Sequence, residues 1–174
     1  MMIPRVSLAA AGLVLLGCND FNDGKTRSII ESNPVRLDAE QVTLTQQQVD
    51  CGVKADLWDS PVQTNDRSVA RLTDKGRALK FYEDVAVAEP GYRQPFVQVR
   101  GDFMLGVLEI LNTTDGRDKY TKLVETKVGV KIDHPCFTTP LPIMGLKKGM
   151  FSQDANPILR FRLDNSWQLD RIVH

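Results

Sequence analysis

Residues 123–132 alternate in character. Val124, Thr126, Val128, Val130 and Ile132 fall on one side, and Glu125, Lys127, Gly129 and Lys131 on the other. Successive side chains of a strand point to opposite faces, so this spacing predicts a half-buried β-strand. Other segments carry related patterns. Residues 69–72 and 78–88 predict a hairpin around a turn at Asp74-Lys75-Gly76-Arg77, and Glu89-Pro90-Gly91-Tyr92 marks a second turn before a strand over 96–100. Gly101-Asp102 reads as a turn or bulge. The apolar run 103–111 fits a buried strand or a short helix, and the strand is favoured. Residues 158–163 and 167–173 flank the turn-type residues Asp164-Asn165-Ser166, which predicts a closing hairpin. The expected fold class is mainly β, an antiparallel sandwich or partly open barrel.

One short helix is expected near the start of this domain. Thr45-Gln46-Gln47-Gln48 matches a capping box, in which the Thr hydroxyl takes an orphan N–H and the Gln reaches back. Val49, Val53 and Leu57 follow at steps of four, with Trp58 beside them. Gly52 weakens the helix, and Pro61 is its expected end.

The amino terminus has a different character. Residues 6–16 form an almost unbroken apolar run behind Arg5. A membrane-spanning helix needs roughly 17–25 apolar residues, so the run is too short to span but suits the apolar core of a secretory signal. The junction Leu15-Leu16-Gly17-Cys18 resembles the lipobox of bacterial lipoproteins, although the middle position, usually Ala or Ser in that family, is Leu16. The resemblance implies cleavage after Gly17, a diacylglyceryl thioether on Cys18 and an acylated new amino terminus. Two or more acyl chains hold a protein stably on a bilayer where one is marginal. By the same resemblance, Asn19 after the cysteine implies the outer membrane, facing the periplasm. The expected organisation is a signal peptide over 1–17, an acylated cysteine and flexible tether over 18–36, and a single mostly β periplasmic domain over 37–174. Over residues 19–34 Ile29-Ile30 interrupts a largely polar composition.

With Cys18 assigned to lipid, Cys51 and Cys136 remain. An even pair in an oxidising envelope compartment reads as a disulfide, here tying the helix to a segment near the carboxyl end. Asp133-His134-Pro135-Cys136 offers a carboxylate, an imidazole and a thiol, but lacks the paired ligand spacing of zinc sites. No metal and no cofactor are expected.

Charge and motif content narrow the function. Twenty-two basic residues balance twenty-two acidic ones, so nucleic acid is not an expected partner. There are two histidines, His134 and His174, and no Gly-x-Ser-x-Gly, His-Glu-x-x-His, Cys-x-x-Cys or phosphate-cradling glycine loop. The chain is therefore read as a non-enzyme. Two segments are candidates for partner binding. Ile143, Met144, Leu146 and Phe151 lie in a stretch broken by Pro140, Pro142, Gly145 and Gly149. Left on the surface they would form an apolar patch; folded under, they would be a lid on the core. Tyr92 and Phe96, with Arg93 between them, are of types enriched at interfaces. The expected function is that of a membrane-anchored envelope lipoprotein, binding or assisting a protein partner. The alternative is a carrier or sensor of a lipid or small apolar ligand, which needs a hollow interior. Below both stands an enzyme centred on His134, which needs a carboxylate such as Asp133 or Asp154 within reach.

Overall fold

A computed structural model describes residues 21–147 and 150–173, with the backbone alone described at 146, 147 and 150. Cys18 and the signal sequence lie outside the described residues. The chain folds mainly into strands arranged as two antiparallel sheets, and neither closes into a barrel among the described residues.

The first sheet contains β1 (Val35–Thr43), β2 (Val62–Thr64), β3 (Arg67–Ala70), β4 (Val85–Ala88) and β5 (Phe96–Phe103), in the order β1-β5-β4-β3-β2. The second contains β6 (Leu105–Asp115), β7 (Thr121–Val130), β11 (Ile158–Asp164) and β12 (Ser166–Val173), in the order β12-β11-β7-β6. The short β8 (Leu141–Pro142) adds to β7, and β9 (Gly145–Lys147) pairs with β10 (Met150–Ser152) as a separate hairpin. The alternation read at 123–132 corresponds to β7, whose Val124, Thr126, Val128 and Val130 are buried. The closing hairpin is β11–β12, with Asn165 at its tip in the left-handed region (φ 58°).

One core serves both sheets. Val42, Val97 and Val99 of the first sheet join Val124, Val128, Leu159 and Phe161 of the second in a single cluster. The segment after Pro140 stitches the sheets together. Leu141 pairs with Val130, the Ile143 amide donates to the Val128 carbonyl at 2.9 Å, and the Met144 amide donates to the Gln41 carbonyl at 2.8 Å. Of the two readings of this segment, the exposed apolar patch is corrected and the lid on the core holds at Ile143 and Met144. Ile143 and Met144 are buried, because their backbone is drawn between β1 and β7.

The capping box is present at α2 (Gln46–Lys54), where the Thr45 hydroxyl and the Gln48 side chain satisfy each other's backbone amides. The helix stops at Lys54, well before Pro61, because Asp56 turns to a positive φ of 60°. Gly52, which would weaken a free helix, is required here. A Cβ at that position would lie 2.1 Å from the Trp58 ring, which is buried and donates its indole N–H to the Val49 carbonyl at 2.9 Å. Trp58, Phe81 and Phe137 pack together, and Cys51 and Cys136 are bonded beside them, with their Cα atoms 5.6 Å apart.

Two further helices depart from the expectation of one. The turn expected at 74–77 is the short α3 (Asp74–Ala78), capped by the Thr73 hydroxyl, so the strand expected over 78–88 shrinks to β4. In place of part of the expected tether stands α1 (Asp23–Ser32), and β1 begins at Val35. Its sequence is too short and polar to hold a helix alone. Tertiary contact supplies the stability: Ile30 and Thr26 are fully buried, and Phe21 packs edge-on against Phe161 and Trp167 with ring centroids 5.1 and 4.8 Å away. The helix contacts β6 and β12, the two edge strands of the second sheet. Arg27 donates to the Val107 carbonyl at 2.7 Å, and the Val107 amide donates to Glu31 at 3.0 Å. Beyond this clamp, β6 carries register shifts at Leu108 and Leu111, which turn outward and stand 45% and 39% exposed. The run 103–111 is therefore divided: Phe103 ends β5, Met104 lies exposed between the strands, and β6 is buried only over 105–107.

Replacing Gly52 with Ala forces a methyl group into the Trp58 ring. Overpacking of this kind costs about 1–3 kcal/mol, to be read from urea unfolding of the oxidised protein. Unchanged stability would contradict the assigned packing.

Candidate functional site

The two segments singled out in the sequence meet in part. The β4–β5 connection, residues 89–95, turns at Glu89-Pro90-Gly91-Tyr92, where the Tyr92 amide donates to the Glu89 carbonyl at 3.1 Å. Gly91 sits at φ 88°, a conformation that side chains with a Cβ rarely adopt. The turn projects Tyr92 back over Phe96, with ring centroids 4.5 Å apart, and both rings stay half-exposed. An aromatic pair that keeps one side open to solvent offers apolar area at little cost in side-chain entropy.

The second segment is the β9–β10 hairpin and the residues after it. Phe151 lies on β10 opposite Leu146 and is half-buried; the side chain of Leu146 lies outside the described residues. The Ala155 carbonyl accepts from the Gly145 amide at 3.2 Å and closes the hairpin base. Gln153 then reaches across to the first loop. Its carboxamide oxygen accepts from the Arg93 amide at 3.2 Å, and its nitrogen donates to the Gln94 carbonyl at 3.3 Å. One side chain thus satisfies the backbone of a loop sixty residues away, as a neighbouring strand would. The Arg93 guanidinium lies 3.5 Å from Asp154, but both side chains are largely exposed, so this pair orients more than it stabilises.

Beside Tyr92 lies an open groove of about 360 Å³ with Asp66, Glu89, Tyr92, Arg93 and Gln94 on its walls. Glu89 is held by Arg67 at 3.0 Å. The surface therefore combines two half-exposed aromatic rings with charges of both signs. It suits recognition of a peptide or protein surface.

Catalytic and metal-binding arrangements do not assemble around the other candidates. His134 is half-buried, and its Nδ1 accepts from the Cys136 amide at 3.2 Å. Asp133 is exposed, and Asp154 faces Arg93, so neither carboxylate hydrogen-bonds His134. No group of three or more potential metal ligands occurs among the described residues. Of the partner-binding candidates, Tyr92, Phe96 and Phe151 lie on or beside the joined loops, whereas Ile143 and Met144 are core. Gln153 was not legible as a site residue, and Asp154 was read only as a carboxylate for His134, because the importance of both comes from contacts across the fold. Comparison with family models, with curated proteins and with solved structures returns no match for this chain.

Substituting Gln153→Ala unties the two loops. Amide exchange at residues 92–95 should quicken, while global stability falls by no more than about 1.5 kcal/mol, the net worth of such hydrogen bonds. Unaltered exchange would show that the loop holds itself.

Proposed function

We propose that this chain is a membrane-anchored envelope lipoprotein, acylated on Cys18, that binds or assists a protein partner through the surface built from residues 89–96 and 151–156. The observation that carries the binding half is the Gln153 bridge. It holds two distant loops in one arrangement before any partner arrives, which lowers the ordering cost of binding. The anchoring half rests on the Leu15-Leu16-Gly17-Cys18 junction and is supported by the Cys51–Cys136 bond, which suits an oxidising compartment. No helix among the described residues is long and apolar enough to cross a membrane, so acyl chains are the anchor proposed. The carrier alternative draws less support, since a continuous cluster of large side chains occupies the space between the sheets. The enzyme alternative lacks the carboxylate that His134 would need.

A photo-crosslinking residue placed at Tyr92, in the acylated protein within a bacterial envelope, tests the binding surface. The expected result is one dominant protein adduct, absent when the same residue replaces Lys127 and strongly reduced by Arg93→Ala. A near-equimolar lipid or small molecule retained on purification, with no protein adduct at Tyr92, would overturn this reading in favour of a carrier.

A further inference from the structure

We propose that the protein stands on its membrane in one fixed orientation, with the β6–β7 loop and the β11–β12 tip resting on the bilayer and the 89–96 and 151–156 surface turned away from it. This rests on acylation of Cys18 and adds to it the identity of the face that meets lipid.

The constraint is the length of chain between the anchor and the first docked residue. Phe21 is wedged against Phe161 and Trp167, and α1 begins at once behind it, with the Asn22 side chain accepting from the Lys25 amide at 2.9 Å. Two residues, Asn19 and Asp20, separate Cys18 from Phe21, three Cα–Cα steps in all. Whatever their conformation, they span at most about 11 Å. A tether as long as residues 18–36 would let the domain tumble; this one does not.

Phe21 lies toward one end of the second sheet, against Trp167 near the start of β12 and Phe161 midway along β11. Trp167 adjoins the β11–β12 tip, residues 164–166. The β6–β7 loop lies at that same end, because Arg162 pairs with Thr121 and the Leu163 amide donates to the Tyr120 carbonyl at 2.8 Å. At the other end of β11, Pro157 leads back to Gln153 and the joined loops. A strand of this length separates the two ends by roughly 20 Å, so an anchor tied beside Trp167 lies nearer the tip than the joined loops.

The chemistry of the near end fits a headgroup layer. Tyr120 is 50% exposed, and the Lys119 ammonium lies 5.0 Å from the centre of its ring. Arg117 and Arg162 are exposed beside them, alternating with Asp118 and Asp164. Tyrosine sits well at the membrane–water interface, and lysine can bury its stem there while its charge stays wet. The mixed charge gives no strong pull of its own, so the acyl chains anchor and this end only settles.

Paramagnetic broadening in nanodiscs tests the orientation. The acylated, isotope-labelled protein is placed in phosphatidylethanolamine–phosphatidylglycerol nanodiscs containing a gadolinium-chelating lipid. Amide signals of residues 117–120 and 164–166 should broaden several-fold more than those of 91–94 and 153–155. A long Gly-Ser linker inserted between Asp20 and Phe21 should leave the protein bound and remove the difference. Bound protein with uniform broadening, or a pattern the linker does not change, would overturn the fixed orientation while leaving the anchor standing. Protein that carries no acyl group and stays off the nanodiscs would overturn the anchoring reading, and the orientation with it.

Discussion

The two backbone groups of Val107 face away from β7, at the edge of a sheet, and α1 supplies both partners: Arg27 for the carbonyl and Glu31 for the amide. A buried backbone group without a partner costs about 1–3 kcal/mol, so the helix and the edge strand depend on each other. An open edge is also a template for pairing with another chain. Here the first part of β6 is occupied by the helix and the rest is interrupted at Leu108 and Leu111. The clamp therefore does two things. It blunts the edge, and it fixes the chain's entry to the domain at Phe21.

The second source of order is the stitch between the sheets. Residues 141–144 pair with β7 on one side and reach β1 on the other, while the Cys51–Cys136 bond holds α2 to the segment just before them. The β9–β10 hairpin leaves directly from this stitch, so the Gln153 bridge starts from a fixed base. Rigid elements beneath a loop are what allow it to present a defined surface. The aromatic group of Trp58, Phe81 and Phe137 plays the same role for the first sheet.

What the sequence revealed follows from how local each signal was. The capping box at Thr45, the alternation of β7 and the hairpin at Asn165 depend on near neighbours, and each is found in the fold. The pairing of Cys51 with Cys136 was legible by elimination of the third cysteine. Helix α1 was not, because its stability comes from Phe161, Trp167 and Val107, more than seventy positions away. Ile143 and Met144 could be read as surface or as a lid on the core, since prolines and glycines surround them, and backbone pairing to both sheets buries them. Tyr92 and Phe96 were recognisable by residue type, whereas Gln153, which positions their loop, carries no local mark.

Both the proposed placement of the anchor and the proposed orientation of the binding surface require that α1 be part of the folded domain and not a free leader. Native-state hydrogen exchange of the membrane-bound, acylated protein measures this directly. Amides of residues 27–32 should exchange only as slowly as the sheet to which they are clamped, with protection lost together with that of Val107 when Arg27 and Glu31 are replaced by Ala. Exchange of those amides at the rate of an unstructured peptide, with β6 still protected, would mean that the leader is a tether after all.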